Sequence, residues 1–144
     1  MPREPKFIFL DNIVRCELED PDTHEIVVGE AKCMPQDMDM MSEKTGLQIA
    51  ETRANIKFLK HLIKESKKEL KALKDFHSLL KFNPYYNEEN REVKLLIKEI
   101  RRREKDIKEN ENSLKEMKDS LIEYIAEKEK FYQKIRRIRN RGQK

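Results

Sequence analysis

Residues 56–80 read IKFLKHLIKESKKELKALKDFHSLL, and residues 93–138 read VKLLIKEIRRREKDIKENENSLKEMKDSLIEYIAEKEKFYQKIRRI. In both stretches a seam of recurring residues alternates spacings of three and four, which is the heptad repeat of a supercoiled helix. The repeat predicts two long helices that bury their seams against each other or against another subunit. The seam positions are Ile49, Thr52, Ile56, Leu59, Ile63, Ser66, Leu70, Leu73, His77 and Leu80, then Val93, Leu96, Ile100, Arg103, Ile107, Asn110, Leu114, Met117, Leu121, Tyr124, Lys128, Phe131, Ile135 and Ile138.

The N-terminal region carries strand patterns instead. Residues 7–20 and 24–33 read as two strands around a turn at residues 20–24, with residues 7–10 as a third strand or a lead-in. Alternation of apolar with charged residues predicts an inward face formed by Val14, Cys16 and Leu18 on one strand and Val27, Gly29, Ala31 and Cys33 on the other. Gly29 marks a bulge or close packing, and both cysteines are predicted to be reduced, buried thiols.

The predicted fold class is α+β: a small N-terminal antiparallel β-sheet followed by a long two-helix antiparallel coiled-coil hairpin. The sheet module covers residues 1–41, and the helical hairpin with a basic tail covers 42–144. Its helices are expected at about 43–80 and 88–138, joined by a loop at 81–87, with Ser42 and Asn87 as N-caps. Pro84 ends the first helix, because it disfavours helical geometry at the residue before it. Residues 139–144 are expected to fray.

Composition favours an oligomer. The chain has 144 residues, of which 42% are charged, and it contains no tryptophan. A mean hydropathy of −0.93 suits extended helices that bury a narrow stripe rather than a thick core. A lone chain would bury little surface, so we expect a homo-oligomer, a dimer or higher, formed through the helical seams. We see no membrane span and no signal peptide, and we therefore expect the cytoplasm of a host cell.

The loop between the helices is the densest concentration of binding groups. Aromatic rings can stack on a base, amides can read its edge, and arginines can clamp phosphates. The candidate ligand-binding residues are Phe82, Asn83, Tyr85, Tyr86, Asn90, Arg91, Arg101, Arg102 and Arg103. The alternative is a helix-hairpin loop whose aromatic residues cap the end of the coiled coil.

In the second helix, Arg103, Asn110 and Lys128 occupy seam positions, where a charge costs stability unless it is paired. Such residues commonly set register and oligomeric state. The other interpretation is that Arg103 lines a cavity between subunits.

Charge is unevenly distributed. Residues 1–52 carry 5 Lys or Arg against 12 Asp or Glu, whereas residues 53–81 carry 9 against 3. Residues 130–144 carry 7 Lys or Arg and no acidic residue. The lysines of the first helix are either a solvated face or contacts for a phosphate backbone. Nucleic acid is therefore a possible partner, although a second choice to a small nucleotide.

The sequence shows no catalytic constellation. Its three glycines are isolated, so no phosphate-binding glycine-rich loop is present, and no metal-ligand spacing links its three histidines with the cysteines. We predict a protein that is not an enzyme and that requires neither a cofactor nor a metal.

Residues 29–37 read GEAKCMPQD, and residues 46–57 read GLQIAETRANIK. This pattern resembles the N-terminal module of small proteins from phages of Gram-positive bacteria, a short β-sheet running into a long helix. The layout of the chain resembles the phage anti-Thoeris family, which sequesters a cyclic ADP-ribose signal in oligomeric pockets. The resemblance implies that Phe82, with Asn83 or Asn90, fills the loop roles, and that Arg101, Arg102 or Arg103 holds the phosphates.

Three functional hypotheses follow. The first is a phage anti-defence protein that binds and hides a cyclic nucleotide-type immune signal without chemistry. The second is an anti-defence or regulatory module that binds nucleic acid or a host nuclease through its basic helices. The third is a structural coiled-coil oligomer without a ligand.

Overall fold

The computed structural model describes residues 4–32 and 43–142. It contains three strands, β1 (Lys6–Leu10), β2 (Ile13–Glu19) and β3 (Ile26–Lys32), followed by two helices, α1 (Glu43–Lys81) and α2 (Arg91–Gly142). The predicted fold class, an antiparallel sheet followed by two long helices, is confirmed. The predicted cap at Ser42 and the predicted buried thiol of Cys33 lie outside the described residues.

The sheet has the order β1-β2-β3, and both strand pairs are antiparallel. The prediction of one strand over residues 7–20 is wrong, because the chain turns at Asp11 and Asn12. Asp11 has a φ of 41°, a left-handed conformation that Asp tolerates better than most residues. Phe7–Leu10 therefore belongs to a third strand, which was one of the two alternatives for that segment. The turn between β2 and β3 lies at the predicted place, where the His24 amide donates to the Asp20 carbonyl at 2.8 Å.

One face of the sheet is buried at most of the predicted positions. Val14, Cys16 and Leu18 of β2 are all buried, as are Gly29 and Ala31 of β3, whereas Val27, also predicted to face inward, is half-buried. Alternate residues of a strand point to one face, so this burial follows from the period of two. Burial of a leucine such as Leu18 stabilises a fold by about 1.5–3 kcal/mol.

Gly29 is the point of closest approach between β3 and α1. A Cβ atom at this position would lie 2.2 Å from the Ala54 amide nitrogen and 2.3 Å from the Ala50 carbonyl oxygen. Ala50 and Ala54 are themselves fully buried. Of the two roles predicted for Gly29, the structure shows close packing. Arg53 fastens the same contact by donating from Nη1 to the Glu30 carbonyl at 2.5 Å.

The helix boundaries differ from the predicted ones in α2. The predicted start at 88 with Asn87 as cap is wrong, since the helix begins at Arg91. The Asn90 side-chain oxygen accepts from the Glu92 amide at 2.8 Å, and the Asn90 carbonyl accepts from the Lys94 amide at 2.9 Å. These two bonds make Asn90 the N-cap. Helix α2 also continues to Gly142, beyond the predicted end at 138 and into the tail that was expected to fray.

The predicted seam is the less exposed face of both helices. Every seam position from Ile49 to Lys128 is buried or half-buried. The exceptions come later, where Phe131 and Ile138 are 54% and 59% exposed. Within residues 59–114 the helices run antiparallel, as the ion pairs Lys67–Glu111 (3.4 Å) and Lys74–Glu104 (3.3 Å) show.

The chain divides into two compact units. One contains the described residues of 1–58 and 115–144, namely the sheet, the first part of α1 and the last part of α2. The other contains Leu59–Leu114, with the loop between the helices. Over the described residues, neither helix has a stretch that is long and apolar enough to cross a membrane.

Candidate functional site

The loop between the helices forms one side of a cavity of about 310 Å³, here called the tip cavity. The lining residues are Phe76, Leu80, Asn83, Tyr85, Tyr86, Asn87, Asn90, Glu92, Val93 and Leu96. Four of the nine predicted ligand-binding residues line it, namely Asn83, Tyr85, Tyr86 and Asn90. Its lining combines apolar with polar side chains, as small-molecule sites do, and its size lies at the lower end of their range.

The three loop asparagines have one function in common. The side-chain oxygen of Asn83 accepts from the Tyr85 amide at 2.9 Å, and that of Asn87 accepts from the Glu89 amide at 2.9 Å. Asn90 makes the same bond as the helix cap. Each asparagine therefore uses its oxygen to shape the loop, and its NH₂ group makes no hydrogen bond to another described residue. These amides can donate to acceptors of a molecule at the tip.

Tyr86 holds the loop against α1. Its hydroxyl lies 3.0 Å from His77 Nε2 and donates to Glu88 Oε1 at 3.4 Å, while the two rings are 6.0 Å apart. Loss of solvent around the hydroxyl, together with the Glu88 carboxylate, raises the pKa of Tyr86 above its usual value. The hydroxyl thus stays protonated at neutral pH, as its donation to Glu88 requires.

Two aromatic rings at the tip face solvent. Phe82 is 86% exposed and Tyr85 is 91% exposed. Phe82 does not line the tip cavity, whereas Tyr85 does. Leu79 on the preceding turn of α1 is 69% exposed. Grouped exposed apolar side chains commonly mark a binding surface. Phe82 and Tyr85 therefore do not cap the coiled coil, whereas the half-buried Tyr86 contacts His77 as the capping alternative predicts.

The arginine triad, residues 101–103, is separate from the tip cavity. Arg102 lies twelve residues beyond Asn90, which corresponds to about 18 Å along a helix. None of the three arginines lines the cavity, and neither does Arg91. Within a single chain, the loop and the triad therefore do not form the one site that the sequence suggested.

Two of the triad's arginines are bound to carboxylates. Arg102 pairs with Glu99 at 2.5 Å and with Asp106 at 3.3 Å. Arg103 bonds to Glu99 at 2.9 Å and also to Glu69 of the other helix. Hydrogen bonds from both arginines lower the pKa of Glu99 to about 2. The Arg103–Glu69 pair fits the interpretation that Arg103 sets the register of the two helices.

Two cationic side chains near the tip differ from Arg102 and Arg103 in their ion pairing. Among the described residues, Lys81 and Arg91 are exposed and form no ion pair, whereas Lys94 pairs with Glu89 at 3.0 Å. Lys81 ends α1 and Arg91 begins α2. Both charges are free to approach an anionic group of a ligand held at the tip.

A second basic surface lies on α1. It surrounds a shallow depression of about 490 Å³ lined by Lys60, Ile63, Lys64, Lys67, Lys68 and Lys71. Lys67 and Lys68 each pair with a glutamate, at 3.4 Å. Lys60, Lys64 and Lys71 form no ion pair with any residue that the structure describes. This lysine surface can attract an anionic partner.

Sequence reasoning missed another cavity, which lies within the unit that contains the sheet. It is lined by Gln48, Glu51, Thr52, Asn55, Ser120, Leu121 and Tyr124. The sequence feature that could have predicted this cavity is the spacing of the polar residues 48, 51, 52 and 55, which places them on one face of α1. Across the described residues, no three His, Cys, Asp or Glu side chains are arranged to hold a metal ion.

The chain matches no protein-family model, no curated protein and no solved structure. A functional assignment therefore rests on the side chains and their geometry, together with the resemblance of residues 29–57.

Proposed function

We propose that this is a phage anti-defence protein that captures a cyclic nucleotide-type immune signal, such as a cyclic ADP-ribose, in the host cytosol and leaves it chemically intact. The observation that carries the proposal is the tip cavity, where Tyr85 and Tyr86 lie beside three asparagines with free NH₂ groups. The resemblance to anti-Thoeris proteins supports the same ligand class.

Each part of the tip has a role in this proposal. The exposed ring of Tyr85 offers a stacking face for a base, and Phe82 can close over the ligand from outside the cavity. The asparagine NH₂ groups donate to carbonyl, ring-nitrogen or phosphate acceptors. Lys81 and Arg91 supply positive charge for the phosphates. In this role the groups only hold the ligand by stacking, hydrogen bonds and charge, and the ligand is released unchanged.

The arginine triad enters the proposal through oligomerisation. Because residues 101–103 are about 18 Å from the loop along α2, they reach a ligand at the tip only when a second copy of the chain supplies them. Among the three, Arg101 takes the leading role, since no described residue pairs with it. We therefore propose a homo-oligomer whose subunits share ligand sites.

Sequestration works by mass action. A protein that hides a signal must compete with the sensor of that signal, which requires a Kd on the order of nanomolar, or about −12 kcal/mol. The tip cavity of a single chain is open to solvent, which limits the affinity that it can reach alone. Closure of the tip by a second subunit would remove solvent from the ligand and strengthen each polar contact.

The test is capture and release. The protein is mixed with cyclic ADP-ribose isomers and cyclic di- and trinucleotides and filtered, and the retained fraction is heated. A ligand that is missing from the filtrate and recovered intact after heating is the expected result. Recovery of a hydrolysed product would contradict a binding role, and the presence of every ligand in the filtrate would refute the proposal.

The triad is tested in the same assay with Arg101→Ala, which breaks no ion pair, and with the triple alanine variant of residues 101–103. The matched control is Lys105→Ala with Lys108→Ala, which removes two charges from the same helix. We expect the control to retain capture and both triad variants to lose it. Full capture by the triple variant would remove the triad from the site.

The lysine surface favours a second candidate function, binding of nucleic acid. Three unpaired lysines contacting phosphates would make log K fall with log salt with a slope of about −3. Lys60→Gln with Lys64→Gln should reduce that slope, whereas Tyr85→Ala should leave it unchanged. A nucleotide held at the tip would show a much weaker salt dependence.

A further inference from the structure

The polar cavity, defined by Gln48, Glu51, Thr52, Asn55, Ser120, Leu121 and Tyr124, lies between the first turns of α1 and the later part of α2. Its volume is about 350 Å³, enough for a small organic molecule. All seven residues belong to the unit that contains the sheet, and none of them belongs to the tip cavity.

Helix α1 presents two different faces in this region. Ala50 and Ala54 are fully buried, and their backbone approaches Gly29 of the sheet. Residues 48, 51, 52 and 55 form the other face, where a coiled coil would place apolar side chains at the seam. Thr52 instead interrupts the seam between Ile49 and Ile56, and Tyr124 occupies a seam position on α2. At this level of the helix pair, polar side chains occupy seam positions where a coiled coil would usually have apolar ones.

The hydrogen-bonding groups around the polar cavity are largely unused. Tyr124 donates its hydroxyl to Gln48 Oε1 at 2.5 Å, which ties the two helices together. Glu51, Thr52 and Asn55 are half-buried, and their side chains form no hydrogen bond or ion pair with any residue the structure describes. These half-buried groups remain in contact with solvent, so water satisfies them in the free protein, and a bound molecule with matching polar groups can take the place of that water.

The charges of the residues that line the polar cavity indicate which kind of ligand it can bind. Among the described residues that line the cavity, Glu51 is the only ionisable side chain besides the Tyr124 phenol, and none is a lysine or arginine. An ionised carboxylate only accepts hydrogen bonds, so a ligand that contacts Glu51 must donate to it. Lys128 Nζ lies 5.4 Å from the centroid of the Tyr124 ring, but Lys128 is not among the lining residues. A phosphate or carboxylate ligand would therefore face the carboxylate of Glu51 inside the cavity, with Lys128 beside the cavity as the neighbouring cation.

We propose that the polar cavity binds a small organic amine, with Glu51 accepting from its amino group and Thr52, Asn55 and Ser120 completing the hydrogen bonds. The amino group can be an aliphatic ammonium or the exocyclic amine of a heterocycle, because both donate to a carboxylate. This site is independent of the tip cavity, so it stands whether or not the tip captures a nucleotide.

The test measures affinity by calorimetry, with putrescine as the aliphatic probe, adenosine as the heterocyclic probe, and inosine as the analogue that has an oxo group in place of the amine. We expect at least one amine to bind and inosine to bind at least tenfold more weakly than adenosine wherever adenosine binds. Glu51→Gln should weaken binding at least tenfold, because it removes the charge and keeps the shape. Asn55→Ala is a second variant at the same site.

Two controls separate this site from the others. Glu123→Gln removes an exposed carboxylate from α2 outside the cavity, and Tyr85→Ala removes a ring from the tip. Both should leave amine binding unchanged. Binding by putrescine alone identifies an aliphatic ammonium, and binding by adenosine alone identifies a heterocyclic amine. The absence of binding by either amine at millimolar concentration, equal binding of adenosine and inosine, or unchanged affinity in both Glu51→Gln and Asn55→Ala would overturn the proposal.

Discussion

At Gly29 the sequence predicted a bulge or close packing, and the structure shows close packing. The space that its missing side chain leaves is filled by the backbone of α1, because Ala54 N and Ala50 O lie only 2.2 and 2.3 Å from the point that a Cβ atom would occupy. Backbone atoms cannot swing aside as a flexible side chain can. The glycine therefore allows β3 and α1 to touch, and the small residues Ala50 and Ala54 allow the same from the helix side.

Gly29→Ala should destabilise the protein by about 1–3 kcal/mol or more, because the sheet and the helix must separate to admit the methyl group. The measurement is urea unfolding followed by circular dichroism. Gly142→Ala is the matched control, since a Cβ there has no neighbour within 4 Å. It should leave stability unchanged or raise it slightly, as alanine favours helix. Equal stability of Gly29→Ala and wild type would contradict the packing described.

Cys16 is buried on the inner face of the sheet. Burial, with smaller contributions from the Glu51 and Glu17 carboxylates, raises the pKa of its thiol from 9.0 to about 11. The folded state therefore favours the protonated thiol. This contribution to stability is complete below pH 9, where the unfolded thiol is also protonated, and it is lost as the pH rises from about 9 to about 11.

In a Cys33→Ser background, where Cys16 is the remaining thiol, we expect iodoacetamide to react at pH 8 far more slowly with the folded protein than with the urea-unfolded chain. The reactive species is the thiolate, and the folded protein holds little of it at that pH. Mass spectrometry measures the rate. Similar rates in the folded and unfolded states would mean that Cys16 is accessible and ionised.

At the scale of the elements, the heptad repeat identified both helices and their buried faces, because burial of a seam is a property of the repeat itself. The repeat carried no information on where α2 begins. Asn83, Asn87 and Asn90 all have the chemistry of a cap, and all three accept from an amide two residues ahead. Only Asn90 also starts the helical hydrogen bonds, through its carbonyl and Lys94.

The Glu99 cluster makes the helix pair sensitive to acid. Hydrogen bonds from Arg102 and Arg103 lower the pKa of Glu99 from 4.5 to about 2. A lowered pKa stabilises the folded state above the unfolded value, so this stabilisation is lost as the pH falls from about 4.5 to about 2. We expect the melting temperature of Glu99→Gln to depend less on pH over this interval than that of wild type. Glu109→Gln, on an exposed face of the same helix, should follow the wild type, and parallel curves for all three proteins would contradict the assignment.

At the scale of the whole molecule, alternation in the N-terminal strands and the helical repeat were enough to predict an α+β fold, while the arrangement of the binding groups was not. The loop and the arginine triad looked continuous in sequence, but a helix adds about 1.5 Å per residue, which separates them. The break between β1 and β2 was hidden because apolar residues flank Asp11 and Asn12 on both sides. The polar cavity was hidden because its residues come from two segments some 70 positions apart.

Tyr85 is the residue of the tip cavity whose substitution is most informative. The Tyr85 ring is 91% exposed, so its removal costs the fold almost nothing. Phe9 is a matched control, as an aromatic ring that is 54% exposed on β1 and belongs to neither helical seam. Stacking of a base on an aromatic side chain contributes about 1–3 kcal/mol, which corresponds to roughly a 5- to 150-fold change in Kd.

The central claim is tested most directly by titrating cyclic ADP-ribose into the wild-type protein, Tyr85→Ala and Phe9→Ala by calorimetry. We predict a nanomolar Kd for wild type and Phe9→Ala, with binding at least tenfold weaker in Tyr85→Ala at an unchanged melting temperature. Equal affinity of Tyr85→Ala and wild type, or no heat of binding in any of the three proteins, would contradict capture of this signal at the hairpin tip.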